Sequence, residues 1–156
     1  MVDRYVVHAR IAKIREYVAL LRRIRGMADE RRFVTDPLIY GNAERYLQLA
    51  IQAVMYISHH IVADKNLNIP VDSGDLFALL ATHKVLPVAL SKRLVSMAGF
   101  RNILVHRYFI VHSETVYEHL IDRLGDFAEF ALLIKKYLDV VDPPRPTTEP
   151  KGGPSA

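Results

Sequence analysis

Residues 113–138, SETVYEHLIDRLGDFAEFALLIKKYL, decide the fold class of this chain. Their apolar residues recur at intervals of three and four, which places them on one face of an α-helix and does not fit a β-strand. Ser113 precedes this apolar stripe and is predicted to cap the helix at its N-terminus. The stripe consists of Tyr117, Leu120, Leu124, Phe127, Ala131, Ile134 and Leu138.

The same periodicity extends back to the start of the chain. Residues 4–27 are predicted to form a first helix. Asp36 is predicted to cap a long second helix, with Pro37 in the first turn, where a missing N–H removes no helical hydrogen bond. The two stripes are Val7, Ile11, Ile14, Val18 and Leu21, and then Ala43, Leu47, Ala50, Val54, Ile57 and Ile61.

The second helix has an unusually wide apolar face. A further row, formed by Ile51, Met55 and Val62, runs beside its main stripe. One partner helix needs a narrower face than this, so we expect the helix to contact a second subunit of a homodimer as well.

Two more helices are predicted between this face and the final helix. Turn-forming residues concentrate in residues 65–74 and predict a loop. Ser73 is predicted to cap a short third helix that ends before Pro87, and a fourth helix starts there. Its stripe is Leu90, Leu94, Met97, Arg101 and Leu104. Four long helices and one short one predict an all-α, up-and-down helical bundle over residues 1–140.

Composition limits the architecture and the kinds of chemistry. A chain of 156 residues with 51% hydrophobic residues fits one domain, and the prolines and glycines of residues 141–156 predict a disordered tail. The absence of cysteine excludes disulfides and thiol catalysis. No signal-peptide core or membrane-spanning run is present, so we expect a cytoplasmic protein without a membrane anchor. A net charge of +4 permits an anionic partner such as RNA.

Residues 101–108, RNILVHRY, carry the chemistry that a metal-free ribonuclease needs. In such an enzyme the 2′-hydroxyl of RNA attacks the adjacent phosphate, and the protein stabilises the phosphorane and moves two protons. Arg101 is suited to charge stabilisation and His106 to proton transfer, while Asn102 could orient the imidazole or donate to a phosphate oxygen. The spacing alone also fits Arg101 in a surface ion pair and His106 packed at a helix end.

The two charged groups of this motif are not on the same face of a straight helix. At about 100° per residue, Arg101 and His106 are separated by roughly 140°, whereas Asn102 and His106 lie one turn apart. Either the helix unwinds after Val105, or a second copy of the motif completes the site across a two-fold axis. Gly99 would allow another backbone to approach closely.

The longer run 97–108, MAGFRNILVHRY, resembles the signature of the HEPN superfamily, and of its HepT-like toxins in particular. That signature is an arginine, a polar residue, three further residues, a histidine, any residue and a tyrosine. Arg101, Asn102, His106 and Tyr108 match every defined position. The resemblance covers the whole helical region and leaves out only the tail.

The resemblance implies a toxin of a toxin–antitoxin pair that acts as a metal-independent endoribonuclease, with the motif at the cleft of a homodimer. The implied partner is an MntA-like minimal nucleotidyltransferase, which transfers AMP from ATP to the motif tyrosine. In this chain the acceptor would be Tyr108, and its adenylyl phosphate would occupy the place of the RNA phosphate. Without the resemblance, a half-buried phenol with a hydrogen bond to a loop is the ordinary expectation for Tyr108.

The first helix offers a second candidate surface. It carries seven cations, against the carboxylates of Glu16 and of Asp3 just before it, and it could contact RNA or an acidic partner, or simply be a solvated face. Contact with a membrane surface is a third interpretation. The cations are Arg4, Arg10, Lys13, Arg15, Arg22, Arg23 and Arg25.

No metal or cofactor is expected. His59 and His60 diverge by about 100° on a helix and cannot share one metal ion. Glycine-rich phosphate loops are absent, so ATP chemistry would belong to the partner. The alternative to an enzyme is a non-catalytic HEPN module that binds RNA, nucleotide or the nucleotidyltransferase.

Overall fold

Helices make up nearly all of the computed structural model, which describes residues 1–106 and 112–146. These ranges contain no strand, as the all-α prediction requires. The helices are α1 (Arg4–Met27), α2 (Glu30–Thr35), α3 (Pro37–Asp64), α4 (Ser73–Thr82), α5 (Val88–His106), α6 (Ser113–Asp122) and α7 (Leu124–Val141).

Helix α3 lies at the centre and packs against every other described helix. Its predicted stripe is buried throughout. The second row, Ile51, Met55 and Val62, is also buried, and it is covered by helices of the same protomer. The inference of a second subunit from the width of this face was therefore wrong, because the surrounding helices already supply the partners that the width requires.

Helix α1 runs antiparallel to α3 and has the predicted bounds. The N-terminal ammonium of Met1 pairs with Asp64 at 2.6 Å, at the far end of α3. Further along, the rings of Tyr17 and Tyr46 stack with centroids 6.3 Å apart. The stripe of α1 is buried against α3, so the charged face of α1 remains towards solvent.

The single final helix predicted from residue 113 is divided in two. Arg123, with φ −115° and ψ −5°, separates α6 from α7. Both helices pack on α1 and α3, whereas only α6 packs on α2 and only α7 packs on α5. Each of the two helices buries an apolar face, so the apolar residues keep their three–four spacing across Arg123. Periodicity alone could therefore not reveal the break. The short α2 was also not predicted.

Helix caps were predicted with mixed success. The Asp36 carboxylate accepts a hydrogen bond from the Leu38 N–H, as expected. Ser73 is not a cap, since the preceding Asp72 accepts from the Gly74 N–H at 2.6 Å. Ser113 is not a cap either. Its hydroxyl donates to the Val34 carbonyl at 3.1 Å and so ties the start of α6 to α2.

Helix α5 is attached to α7 through a charged clamp. The guanidinium of Arg93 donates to Asp126 at 2.9 Å and to Glu129 at 2.7 Å. The predicted apolar stripe of α5 is buried, with Arg101 half-buried at its edge. The clamp and the buried stripe together fix the position of the helix end that carries the motif.

The boundary of the helical region differs slightly from the prediction. Helix α7 continues to Val141, one residue into the predicted tail. Residues 147–156, most of that tail, lie outside the described residues. Within the described ranges, none of the helices has both the length and the apolar character needed to cross a bilayer.

Candidate functional site

The motif residues lie on the last two turns of α5. Arg101 is half-buried, while Asn102 and His106 are exposed. The structure does not describe residues 107–111, so Tyr108 and its predicted modification lie outside the described residues. The geometry of the candidate site is therefore that of Arg101, Asn102 and His106.

The guanidinium of Arg101 is held by two neutral amides. Its Nη2 donates to Oε1 of Gln52 on α3, and its Nη1 lies 3.4 Å from Oδ1 of Asn102. The Nε atom is buried and has no hydrogen-bond partner among the described residues. In that part of the chain no carboxylate forms an ion pair with Arg101, unlike Arg93, so the surface ion pair considered above is not present.

His106 is the last residue of α5 and is exposed. Because α5 is helical through His106, the helix does not unwind between Arg101 and His106. The two side chains therefore leave the helix about 140° apart within one protomer.

Asn102 borders an acidic cleft on the α4 side of α5. The cleft has a volume of about 540 Å³ and is lined by residues 70–73, Asp75 and Asn102. Its carboxylates, Asp72 and Asp75, oppose the approach of a phosphate from this side. An anion would thus reach Arg101 more favourably from the side of α3 and Gln52.

A half-buried histidine packs against the residue that precedes the motif. The ring of His119 on α6 stacks on Phe100, the residue before Arg101, with centroids 4.1 Å apart. Its Nδ1 lies 2.9 Å from the Thr115 carbonyl, which requires an N–H at Nδ1. Burial lowers the pKa of His119, so the ring is held in its neutral form and packs as an apolar group.

Glu44 of α3 and His112, the residue before α6, are titratable groups that influence each other. Burial raises the pKa of Glu44 on α3, and the nearby His112 opposes this shift. The Nε2 atom of His112 is buried and has no hydrogen-bond partner among the described residues.

The adjacent histidines of α3 are occupied by backbone contacts. His59 Nδ1 lies 2.8 Å from the Met55 carbonyl, and His60 Nε2 accepts from the Asp3 N–H at 3.1 Å. Across residues 1–106 and 112–146, no three metal-ligating side chains come together. The candidate site is therefore built from a guanidinium, amides and an imidazole.

Two contacts of the site could not be predicted from the sequence. Gln52 lies 49 positions from Arg101, and no local pattern links them. The second contact joins Arg10 of α1 to Tyr56 of α3, whose ring centroid is 4.0 Å from the guanidinium carbon. Only the packing of α1 and α5 on the same central helix brings these residues to one surface.

Comparison with known proteins identifies the family. The family model described as "Ribonuclease HepT-like" matches residues 14–134, which include α3, α5 and the motif. The chain belongs to the HepT-like family. The predicted resemblance to HEPN proteins of the HepT type is thereby confirmed.

Two characterised relatives are similar to this HepT-like chain. An mRNA nuclease HepT of Shewanella oneidensis is 31% identical over 130 residues, covering 83% of this chain and 96% of that protein. A tRNA nuclease HepT of Aphanizomenon flos-aquae is 28% identical over 95 residues, covering 61% of this chain and 65% of that protein.

Solved structures agree with the fold. A tri-AMPylated HEPN toxin of Shewanella oneidensis, in complex with its MNT antitoxin, is 31% identical with a TM-score of 0.77, covering 87% of this chain and 99% of that chain. The cytosolic protein YutE of Bacillus subtilis has a TM-score of 0.79 at 19% identity, covering 92% of this chain and 95% of that chain. The second likeness concerns the fold alone.

Proposed function

We propose that this HepT-like protein is the toxin of a toxin–antitoxin pair and that it cleaves RNA without a metal ion. The nuclease names of two relatives and the toxin–antitoxin complex of a structural neighbour support this function. The observation that carries it is the state of Arg101, which is fixed by the Gln52 amide and keeps its charge.

Arg101 would stabilise the transition state of RNA cleavage. When the 2′-hydroxyl attacks the adjacent phosphorus, negative charge accumulates on the non-bridging oxygens of the phosphorane. A guanidinium held in place by a neutral partner can interact with that charge without first breaking an ion pair. The ribose 5′-oxygen then leaves, and the products are a 2′,3′-cyclic phosphate and a 5′-hydroxyl.

His106 would transfer the protons of this reaction. The imidazole accepts the proton of the 2′-hydroxyl and, once protonated, donates a proton to the leaving 5′-oxygen. Asn102, one turn away on α5, would orient the ring or donate to a phosphate oxygen. Since Arg101 and His106 diverge within one protomer, we place the complete site between two protomers related by a two-fold axis.

The exposed surface of α5 suits such a dimer. Val95 and Ile103 are each 37% exposed, and between them Gly99 has open space where a side chain would be. These residues are four positions apart and so form one ridge beside Asn102 and His106. A second α5 could pack on this ridge, with the exposed Asn102 and His106 at its edge, while the long Arg101 side chain, which leaves the helix about 160° from Gly99, would extend around the end of α5 to reach the shared cleft.

An MntA-like nucleotidyltransferase would neutralise the toxin by modifying Tyr108. The phenol oxygen would attack the α-phosphate of ATP, release pyrophosphate and retain AMP as a phosphodiester. Tyr108 is two residues from His106, so the added phosphate and adenine would obstruct RNA at the same site. The solved structure of a tri-AMPylated HEPN toxin in complex with MNT antitoxin, a structural neighbour of this chain, supports this partner chemistry.

The proposal is tested with Arg101→Ala and His106→Ala. Each should lower RNA cleavage by about a hundredfold or more, since each removes a group acting in the transition state. Lys92→Ala on α5 and His83→Ala beyond α4 are exposed matched controls and should cleave as the wild type does. Cleavage should persist in EDTA and leave 2′,3′-cyclic phosphate ends.

Unchanged cleavage by both motif variants would remove the proposed nuclease site. RNA binding without any cleavage by the wild type would favour the non-catalytic HEPN module instead. For the modification, the intact mass of the toxin produced with its partner should increase by whole AMP units, and Tyr108→Phe should abolish the increase.

A further inference from the structure

Four side chains form a continuous strip across α3, from α1 to the motif. Arg10 lies over the ring of Tyr56, with 4.0 Å between the guanidinium carbon and the ring centroid. Gln52, one turn earlier on α3, accepts a hydrogen bond from Arg101 of α5. The strip is therefore ordered Arg10, Tyr56, Gln52 and Arg101.

The strip is open to solvent. Arg10 and Gln52 are exposed, and Tyr56 is 40% exposed, which is high for an aromatic residue on the central helix of a bundle. Gln52 and Tyr56 are four positions apart, so their side chains are neighbours separated by about 6 Å along α3. A ligand held by Arg101 on this side of α5 would extend over Tyr56 and Arg10.

Both arginines of the strip keep their charge. In the described part of the chain, no carboxylate pairs with Arg10 or Arg101, whose partners are a phenol ring and amides. Arg4 and Arg93 differ in this respect, since Arg4 pairs with Asp139 and Arg93 pairs with two carboxylates of α7. The strip thus presents two positive charges towards solvent without a competing anion.

The combination of an arginine and an aromatic ring is suited to a nucleotide. A nucleobase stacks on an aromatic ring or on the plane of a guanidinium, and the same guanidinium attracts the phosphate beside it. Bases of a duplex are already stacked on each other and are not available for this contact. The strip therefore fits single-stranded RNA better than a duplex.

We propose that Arg10 and Tyr56 form a binding subsite for one nucleotide of single-stranded RNA, next to the phosphate held by Arg101. This subsite rests on the proposed nuclease function and extends it to substrate recognition. It also gives one cation of the basic α1 surface a defined role.

The test measures the binding and cleavage of a labelled single-stranded RNA. Binding is measured with His106→Ala protein, which should retain RNA without cleaving it, and cleavage is measured in the active background. Tyr56→Ala should raise the dissociation constant and KM about tenfold and leave kcat nearly unchanged, because stacking holds the substrate in both ground and transition states. Tyr56→Phe keeps the ring and should behave as the wild type does.

Arg10→Ala gives an independent measurement at an exposed position. The substitution should weaken RNA binding. It should also reduce the slope of the logarithm of the binding constant against the logarithm of the salt concentration, by about the amount that one phosphate contact contributes. In the double variant, Arg10→Ala should weaken RNA binding little beyond the effect of Tyr56→Ala alone, because the two side chains form one platform. Tyr5→Ala, which removes an exposed aromatic residue elsewhere on α1, is the matched control and should have no effect.

Several outcomes would overturn the subsite. If wild-type protein cleaves RNA and Tyr56→Ala has the same KM and dissociation constant, the subsite is wrong and the proposed function remains. If neither the wild type nor any variant binds or cleaves RNA, both the subsite and the proposed nuclease function are wrong. If light scattering shows that Tyr56→Ala has lost the dimer, the strip is a dimer interface instead. If Tyr56→Ala binds RNA normally but no longer binds a nucleotidyltransferase partner, the strip is the interface with that partner.

Discussion

At the scale of single residues, Gln52 determines where the charge of Arg101 lies. Its amide oxygen accepts from Nη2 of Arg101 and leaves the net charge of the guanidinium unchanged. Replacing Gln52 by leucine removes this acceptor, so Arg101 becomes free to sample several rotamers. We expect kcat to fall about tenfold with little change in KM, which is the effect of losing one hydrogen bond that orients a catalytic group.

Gln52→Glu distinguishes orientation from charge. The carboxylate would hold Arg101 in place but would also neutralise it, so we expect kcat to fall here too and the KM for RNA to rise. Gln48→Leu, the same change one turn earlier on α3, is the control and should leave both constants unchanged. Wild-type kcat in Gln52→Leu would contradict a positioning role for Gln52.

The sequence predicted the motif residues but not the residues that hold them. Arg101, Asn102 and His106 lie within six positions and form a recognisable pattern. Gln52, in contrast, has no local signal, since an exposed glutamine on a helix is ordinary and its partner is 49 positions away. A contact of this kind depends on how α3 and α5 pack, and that packing is not encoded in any single stretch of sequence.

At the scale of helices, the contact of α6 with α5 depends on a neutral histidine. His119 stacks on Phe100, and burial holds its pKa below the ordinary value of 6.5. The unfolded chain therefore binds more protons than the folded one between the folded pKa and about 6.5. Stability is unaffected above that window and is lost as the pH falls through it.

Replacing His119 by phenylalanine should keep the stacked ring and remove this titration. We expect the wild type to lose more unfolding free energy than His119→Phe between about pH 7.5 and pH 5, measured by urea unfolding. Glu44, with its raised pKa, acts in the opposite direction, but it is present in both proteins and cancels in the comparison. Equal losses in the two proteins would show that His119 does not carry the dependence.

The ends of a helix could be predicted from the sequence where periodicity and capping residues agree with the way the helix packs. The bounds of α1 and the Asp36 cap of α3 follow directly from periodicity and capping chemistry. The break at Arg123 does not, because no proline marks it and the apolar spacing is unchanged on both sides. The two helices share α1 and α3 as neighbours, but only α6 packs on α2 and only α7 packs on α5, which is a property of the tertiary structure.

At the scale of the whole molecule, the ridge of α5 is the proposed dimer interface, because the apolar rows of α3 are already covered within the protomer. Gly99 is the sensitive point of this ridge, since a Cβ atom added there meets nothing within 4 Å in one protomer. Gly99→Tyr should therefore leave the fold intact while separating two α5 helices. We expect it to yield monomers by light scattering and to lose RNA cleavage.

Gly99→Ala is the matched control for this substitution. The methyl group is small enough to keep the dimer, and it should stabilise α5 by up to about 1 kcal/mol because alanine favours a helix more than glycine does. A dimeric, active Gly99→Tyr protein would exclude the α5 ridge as the interface.

If each site combines residues of two protomers, two inactive variants should restore RNA cleavage when they form a mixed dimer. Arg101→Ala protein retains His106, and His106→Ala protein retains Arg101, so each is inactive alone. A mixed dimer would contain one complete site formed by the Arg101 of one protomer and the His106 of its partner. After the two proteins are mixed and their subunits exchange, cleavage should return to about one quarter of the wild-type level, because about half of the dimers are mixed and each has one of its two sites. If the two residues acted within a single protomer, mixing would restore nothing.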